Sequence, residues 1–96
     1  MPNDMTPIDV LDQARAIFEE RGREYGGVQD LHERIARIGS ELTGHNLTAR
    51  DVALVMMAVK LARLSVEPKH VDSYVDLVNY AAFACTFSAT GRGKIE

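Results

Sequence analysis

Thr48-Ala49-Arg50-Asp51-Val52-Ala53-Leu54-Val55-Met56-Met57-Ala58-Val59-Lys60-Leu61-Ala62-Arg63 is the stretch on which the fold turns. It opens with Thr-x-x-Asp. The threonine hydroxyl can accept a hydrogen bond from a free backbone amide, and the aspartate sits where a helix is electropositive. Val52 to Val59 then runs apolar without a break. That run is far shorter than the roughly 20 residues a bilayer crossing needs, and it shows no strand-like alternation. It reads as a helix covered on every side. Pro68 stops it, because proline lacks an amide hydrogen and its ring clashes with the preceding turn. The spacing predicts a helix over residues 49–66.

Working outward, the same start signal recurs at Thr6-Pro7-Ile8-Asp9, with proline at the first helical position. It predicts a helix over 7–22, with Val10, Ala14, Ile17 and Phe18 on one face and Leu11 at its edge. Gly22 and then Gly26-Gly27 break that pattern. A second helix is expected over 28–43. Its Leu31, Ile35, Ile38 and Leu42 are spaced as a packing seam, while Asp30, Glu33, Arg34, Arg37 and Glu41 face away. Gly44-His45-Asn46 ends it. The last helix, over 70–89, is polar on one stripe early and nearly all apolar from Ala81 to Phe87. Residues 91–96 read as a frayed tail.

The expected fold is all-α: one domain over residues 1–96, a four-helix antiparallel bundle-like protomer. Two helices that are apolar all round are more than two amphipathic ones can cover. Helices three and four are therefore expected to form a shared core in a homo-oligomer, a dimer or tetramer.

Composition narrows the function classes. The chain has 96 residues and a net charge of −3, which supplies no general pull toward nucleic acid. Arg34 and Arg37 stand among acids and no recognition helix is evident, so nucleic acid is the least favoured partner. Cys85 is the single cysteine, which excludes an internal disulfide and a thiolate cluster; in its Ala/Phe-rich surroundings it reads as a buried, inert thiol. No targeting segment or membrane span is visible, so a cytoplasmic location is expected.

The chemistry-bearing residues cluster where the chain is otherwise most apolar. Lys60 and Arg63 lie three apart, hence on one helix face, and together can clamp a phosphate or carboxylate. Equally, each can lead its charge out to water along an apolar stem. Asp72, Asp76 and Tyr80 follow at four-residue intervals on the next helix, flanked by Ser73 and Asn79. Two aspartates one turn apart can help hold a divalent cation, or can pair with Lys60 and Arg63. His70, beside the turn, suits proton transfer or phosphate binding, or simple exposure. Tyr25, in Glu24-Tyr25-Gly26-Gly27, can stack on a ligand or staple a loop. His32 and His45 have no metal-type spacing, and a zinc site is not expected.

Taken together, Glu24-Tyr25-Gly26, Asp51-Val52-Ala53, Met56-Met57, Lys60-x-x-Arg63, His70, Asp72-Ser73-x-x-Asp76 and Tyr80-Ala81 resemble the short phage and prophage proteins called MazG-like. The resemblance covers about residues 10–88. The wider MazG class implies an all-α, oligomeric nucleoside triphosphate pyrophosphohydrolase that holds Mg²⁺ on carboxylates and releases pyrophosphate by water attack. Carried onto this chain, it implies Asp72 and Asp76 as the catalytic metal ligands. Lys60, Arg63, His70 and Ser73, with Tyr25 or Tyr80 against the base or sugar, would hold the nucleotide. The chain departs from the class pattern, having Lys60-x-x-Arg63 where Glu-x-x-Glu is usual. Only half an acidic quartet is evident, and two aspartates facing two cations would hold Mg²⁺ weakly.

Three functions follow as expectations. One is Mg²⁺-dependent hydrolysis of nucleoside triphosphates. The second is non-catalytic binding of a nucleotide or another phosphate-bearing small molecule, sequestering a signal. The third is binding to a host protein through acidic faces carrying Asp9, Asp12, Glu19, Glu20, Asp30, Glu33 and Glu41.

Overall fold

The computed structural model describes residues 5–25 and 27–89, apart from the side chains at 22–25, 88 and 89. Four helices account for nearly all of them: α1 (Pro7–Tyr25), α2 (Val28–Thr43), α3 (Ala49–Val66) and α4 (Val71–Ala89). No strand occurs among the described residues. The protein is all-α, in an arrangement compatible with a helical bundle. The tail expected at 91–96 lies outside the described residues.

Local chemistry sets the helix ends. At α3, the Thr48 hydroxyl accepts from the Asp51 amide at 3.1 Å while the Asp51 carboxylate accepts from the Thr48 amide at 2.9 Å. Thr6 and Asp9 make the same reciprocal pair at the start of α1. Gly44 closes α2 in the left-handed conformation (φ 75°) and donates its amide to the Ser40 carbonyl; a side chain there would be strained. α1 continues to Tyr25 instead of stopping at Gly22. A glycine inside a helix costs only about 1 kcal/mol, less than a breaker signal implies.

The most extensive helix contact joins α3 and α4, which a four-residue connection (67–70) folds into a hairpin. α1 packs on α4 and α2 packs on α3. The core centres on Ala49, Ala53, Ala84 and Phe87, with Val28 and Phe83 packed against it. Val75 is fully buried. Small residues at these contacts let the helix backbones approach to core density.

Two expectations are corrected here. The α2 seam of Ile35, Ile38 and Leu42 points outward, and His32 and Ala36 are buried in its place. The reason lies in the next segment, which folds back onto the small face of α2. A Cβ on Gly39 would meet the Leu47 side chain at 3.0 Å, and the Ser40 hydroxyl accepts from the Leu47 amide at 2.8 Å. Cys85 is exposed, not buried, because the apolar end of α4 keeps one side uncovered in the single chain. α3 is likewise half covered: Val52, Ala53 and Leu64 are buried while Leu54, Val55, Val59 and Leu61 are exposed.

Candidate functional site

The α3–α4 hairpin brings together five of the residues singled out in the sequence. Lys60 sits about two turns before the end of α3, and Asp76 lies a similar distance into α4. Reversal of the chain sets them opposite one another. The Lys60 ammonium pairs with the Asp76 carboxylate at 3.0 Å, each side chain 23% exposed. Charge in this half-buried position is tolerable because it is matched.

One turn nearer the loop, Arg63 contacts two partners. Its Nε donates to Glu67, the residue that caps α3, at 3.3 Å, an exposed pair. Its Nη2 lies 3.3 Å from His70 Nε2. Arginine only donates, so His70 Nε2 accepts and the ring proton belongs on Nδ1. Nδ1 then donates to the Ser73 hydroxyl at 2.8 Å. Ser73 is 1% exposed, so the Arg63–His70–Ser73 chain runs from solvent into the core. Nearby, the Tyr74 hydroxyl donates to the Pro68 carbonyl at 2.8 Å and ties the turn to α4.

The other singled-out residues fall elsewhere. Asp72 is exposed on the first turn of α4, and its carboxylate does not share the Lys60–Asp76 contact. Among the described residues, no three or more His, Cys, Asp or Glu side chains gather closely enough to hold a metal ion. Asp76 is instead paired with Lys60. The Tyr25 side chain lies outside the described residues. Tyr80 faces a different neighbourhood, an aromatic cluster in which its ring centroid is 6.0 Å from His32 and 5.9 Å from Phe83.

That cluster lines a cavity of about 80 Å³ between α1, α2 and α4, walled by Phe18, Arg21, His32, Asp76, Tyr80 and Phe83 among others. Asp76 thus belongs to both the ion pair and the cavity wall. Asn79, whose amide donates to the Ala14 carbonyl at 2.9 Å, fixes α4 against α1 at the same place. Residue spacing did not single out His32 or Arg21, because each reaches the cavity from a different helix. A histidine on the buried face of α2 was the available signal, concealed by the apparent seam one residue away.

No solved structure matches. The "Gene 55 protein" of Mycobacterium phage L5 is 36% identical over 76 residues, covering 77% of this chain and 49% of the relative. The "Gene 55 protein" of Mycobacterium phage D29 is 33% identical over 73 residues, covering 75% of this chain and 48% of the relative. The chain spans about half the length of the curated relatives it matches. The family DUF6378, described as a domain of unknown function, matches residues 9–88 and so spans α2 and α3 whole and nearly all of α1 and α4. The chain belongs to the DUF6378 family, whose relatives here are phage proteins.

Proposed function

We propose that the protein binds a nucleotide through its phosphates at the α3–α4 hairpin, with Lys60 and Arg63 as the anion-binding groups and His70 holding the Arg63 guanidinium in place. The observation that carries this reading is that Lys60 and Arg63 share one face of α3 leading up to the turn, with the Arg63 side chain 53% exposed. Arg63 has five N–H donors, and its contacts with Glu67 and His70 occupy two of them. Exposed ion pairs are worth little, about 0–1 kcal/mol, so a phosphate can displace Glu67 at small cost. The MazG-like resemblance of the sequence favours a nucleotide over other anions. With cations where that class carries carboxylates, the reading is binding without metal.

The test is calorimetric titration of pyrophosphate and nucleoside triphosphates in the presence of a chelator. Metal-independent binding is expected, weakened at least tenfold by Arg63→Ala. No binding in chelator, together with Mg²⁺-dependent pyrophosphate release, would replace this reading with hydrolysis.

Oligomerisation through α3 and α4 is proposed alongside it. Val55, Val59 and Val66, 57%, 47% and 82% exposed, share one face of α3 and form an apolar strip that a second copy would cover. Light scattering is expected to give two or four times the chain mass of 10.6 kDa, with Val59→Glu shifting the mass toward one chain. A single-chain mass for the unaltered protein would reject the proposal.

A further inference from the structure

The outward face of α2 carries an apolar strip that the single chain does not use. Ile35, Ile38 and Leu42 follow one another at helical spacing, and Ile38 and Leu42 are 56% and 82% exposed. Scattered apolar residues on a surface are ordinary, but a run of them on one helix face marks an interaction site. The segment after α2 does not cover the strip, because Leu47 is held on the far side of the helix by Ser40.

The charges beside the strip specify what covers it. Arg34 and Glu41, both exposed, lie two turns apart along the same edge. Neither forms an ion pair with another described residue. With Asp30 and Arg37, this side of α2 holds two acids and two bases. A partner of one charge sign therefore loses on one pair what it gains on the other. A partner with both signs at the same spacing gains on each, and α2 of a second copy is such a partner when it runs antiparallel.

We infer that α2 pairs antiparallel with α2 of a second copy about a two-fold axis, an isologous contact. An axis midway between Arg34 and Glu41 sets Arg34 of each copy against Glu41 of the other. The same axis passes beside Ile38, so the two Ile38 side chains meet, and Ile35 of one copy falls between Ile38 and Leu42 of the other. Glu41 also lines an open groove with Ser40, Asn46 and Leu47, which gives the incoming guanidinium room. Parallel pairing would bring this edge against the opposite one, which carries Gly39 and Thr43 and no opposing charge. The contact is separate from the phosphate reading and from the α3–α4 contact proposed above; the two contacts together build four chains.

The experiment measures the mass of the full chain in solution by sedimentation. Four chains are expected for the unaltered protein and two for Val59→Glu, which leaves only the α2 contact. In the Val59→Glu background, Arg34→Glu and Glu41→Arg are each expected to weaken pairing at least tenfold, and both together to restore it. In a Cys85→Ser chain, Ile38→Cys is expected to form a disulfide-linked dimer on air oxidation. Leu42→Cys is not, because antiparallel pairing sets the two copies about 13 Å apart along the axis there, beyond disulfide reach. Single chains for Val59→Glu, pairing indifferent to both charge reversals, or equal cross-linking through Leu42→Cys overturns the inference. A mass of two chains that Val59→Glu leaves unchanged and Arg34→Glu lowers would reject the α3–α4 contact and uphold this one.

Discussion

Phe87→Ala is expected to destabilise the protein by about 3–5 kcal/mol, the largest effect of any single truncation in the chain. Phe87 is 3% exposed and closes the core formed by Ala49, Ala53 and Ala84. Its ring stacks on Phe83 at 6.1 Å and meets the edge of His32 at 5.3 Å. Three of its core neighbours are alanines, which have no side chain long enough to relax into the space, so the cavity persists and its full cost is felt. A small domain has only about 5–15 kcal/mol in total. Urea unfolding followed by circular dichroism, at fixed protomer concentration, measures the loss. A change below about 1 kcal/mol would show that α4 does not close the core through this residue.

Lys60→Ala is expected to lower both stability and anion affinity, by separable routes. Removing the ammonium leaves the Asp76 carboxylate three-quarters buried without its partner at 3.0 Å. The cost lies between that of an exposed and a fully buried pair, about 1–3 kcal/mol. Pyrophosphate affinity is expected to fall at least tenfold, about 1.4 kcal/mol, because a half-desolvated cation is lost. The double change Lys60→Met with Asp76→Asn separates the two: it removes both charges, so stability recovers while affinity does not. Recovery of both would mean that Lys60 serves the fold alone. Unfolding curves and pyrophosphate titrations on the same three proteins give the answer.

Much of this architecture is legible along the chain, and the exceptions are instructive. Thr48 and Asp51 announced the start of α3, and Gly44 the end of α2, because caps and left-handed turns are satisfied by atoms three or four residues away. The Lys60–Asp76 pairing was one of two readings open to those residues. The choice between ion pair and metal depended on chain reversal at 67–70 and on the absence of a third carboxylate nearby among the described residues. The inverted face of α2 was not legible. Ile35, Ile38 and Leu42 have the right period, but Gly39 and Ser40 offer the closer approach, and Leu47 takes it.

The sequence by itself determined, to within a residue, where the helices begin and end apart from the end of α1, that the fold is all-α, and that charge is concentrated along the α3–α4 hairpin. Those properties follow from hydrogen bonds and periodicities that span a few residues. Only the tertiary structure decided which face of each helix is buried, that Asp72 stands apart from Asp76's partner, and that His32 is buried beside an aromatic cavity. Each of those depends on atoms from different helices competing for the same space, and that competition is settled by packing.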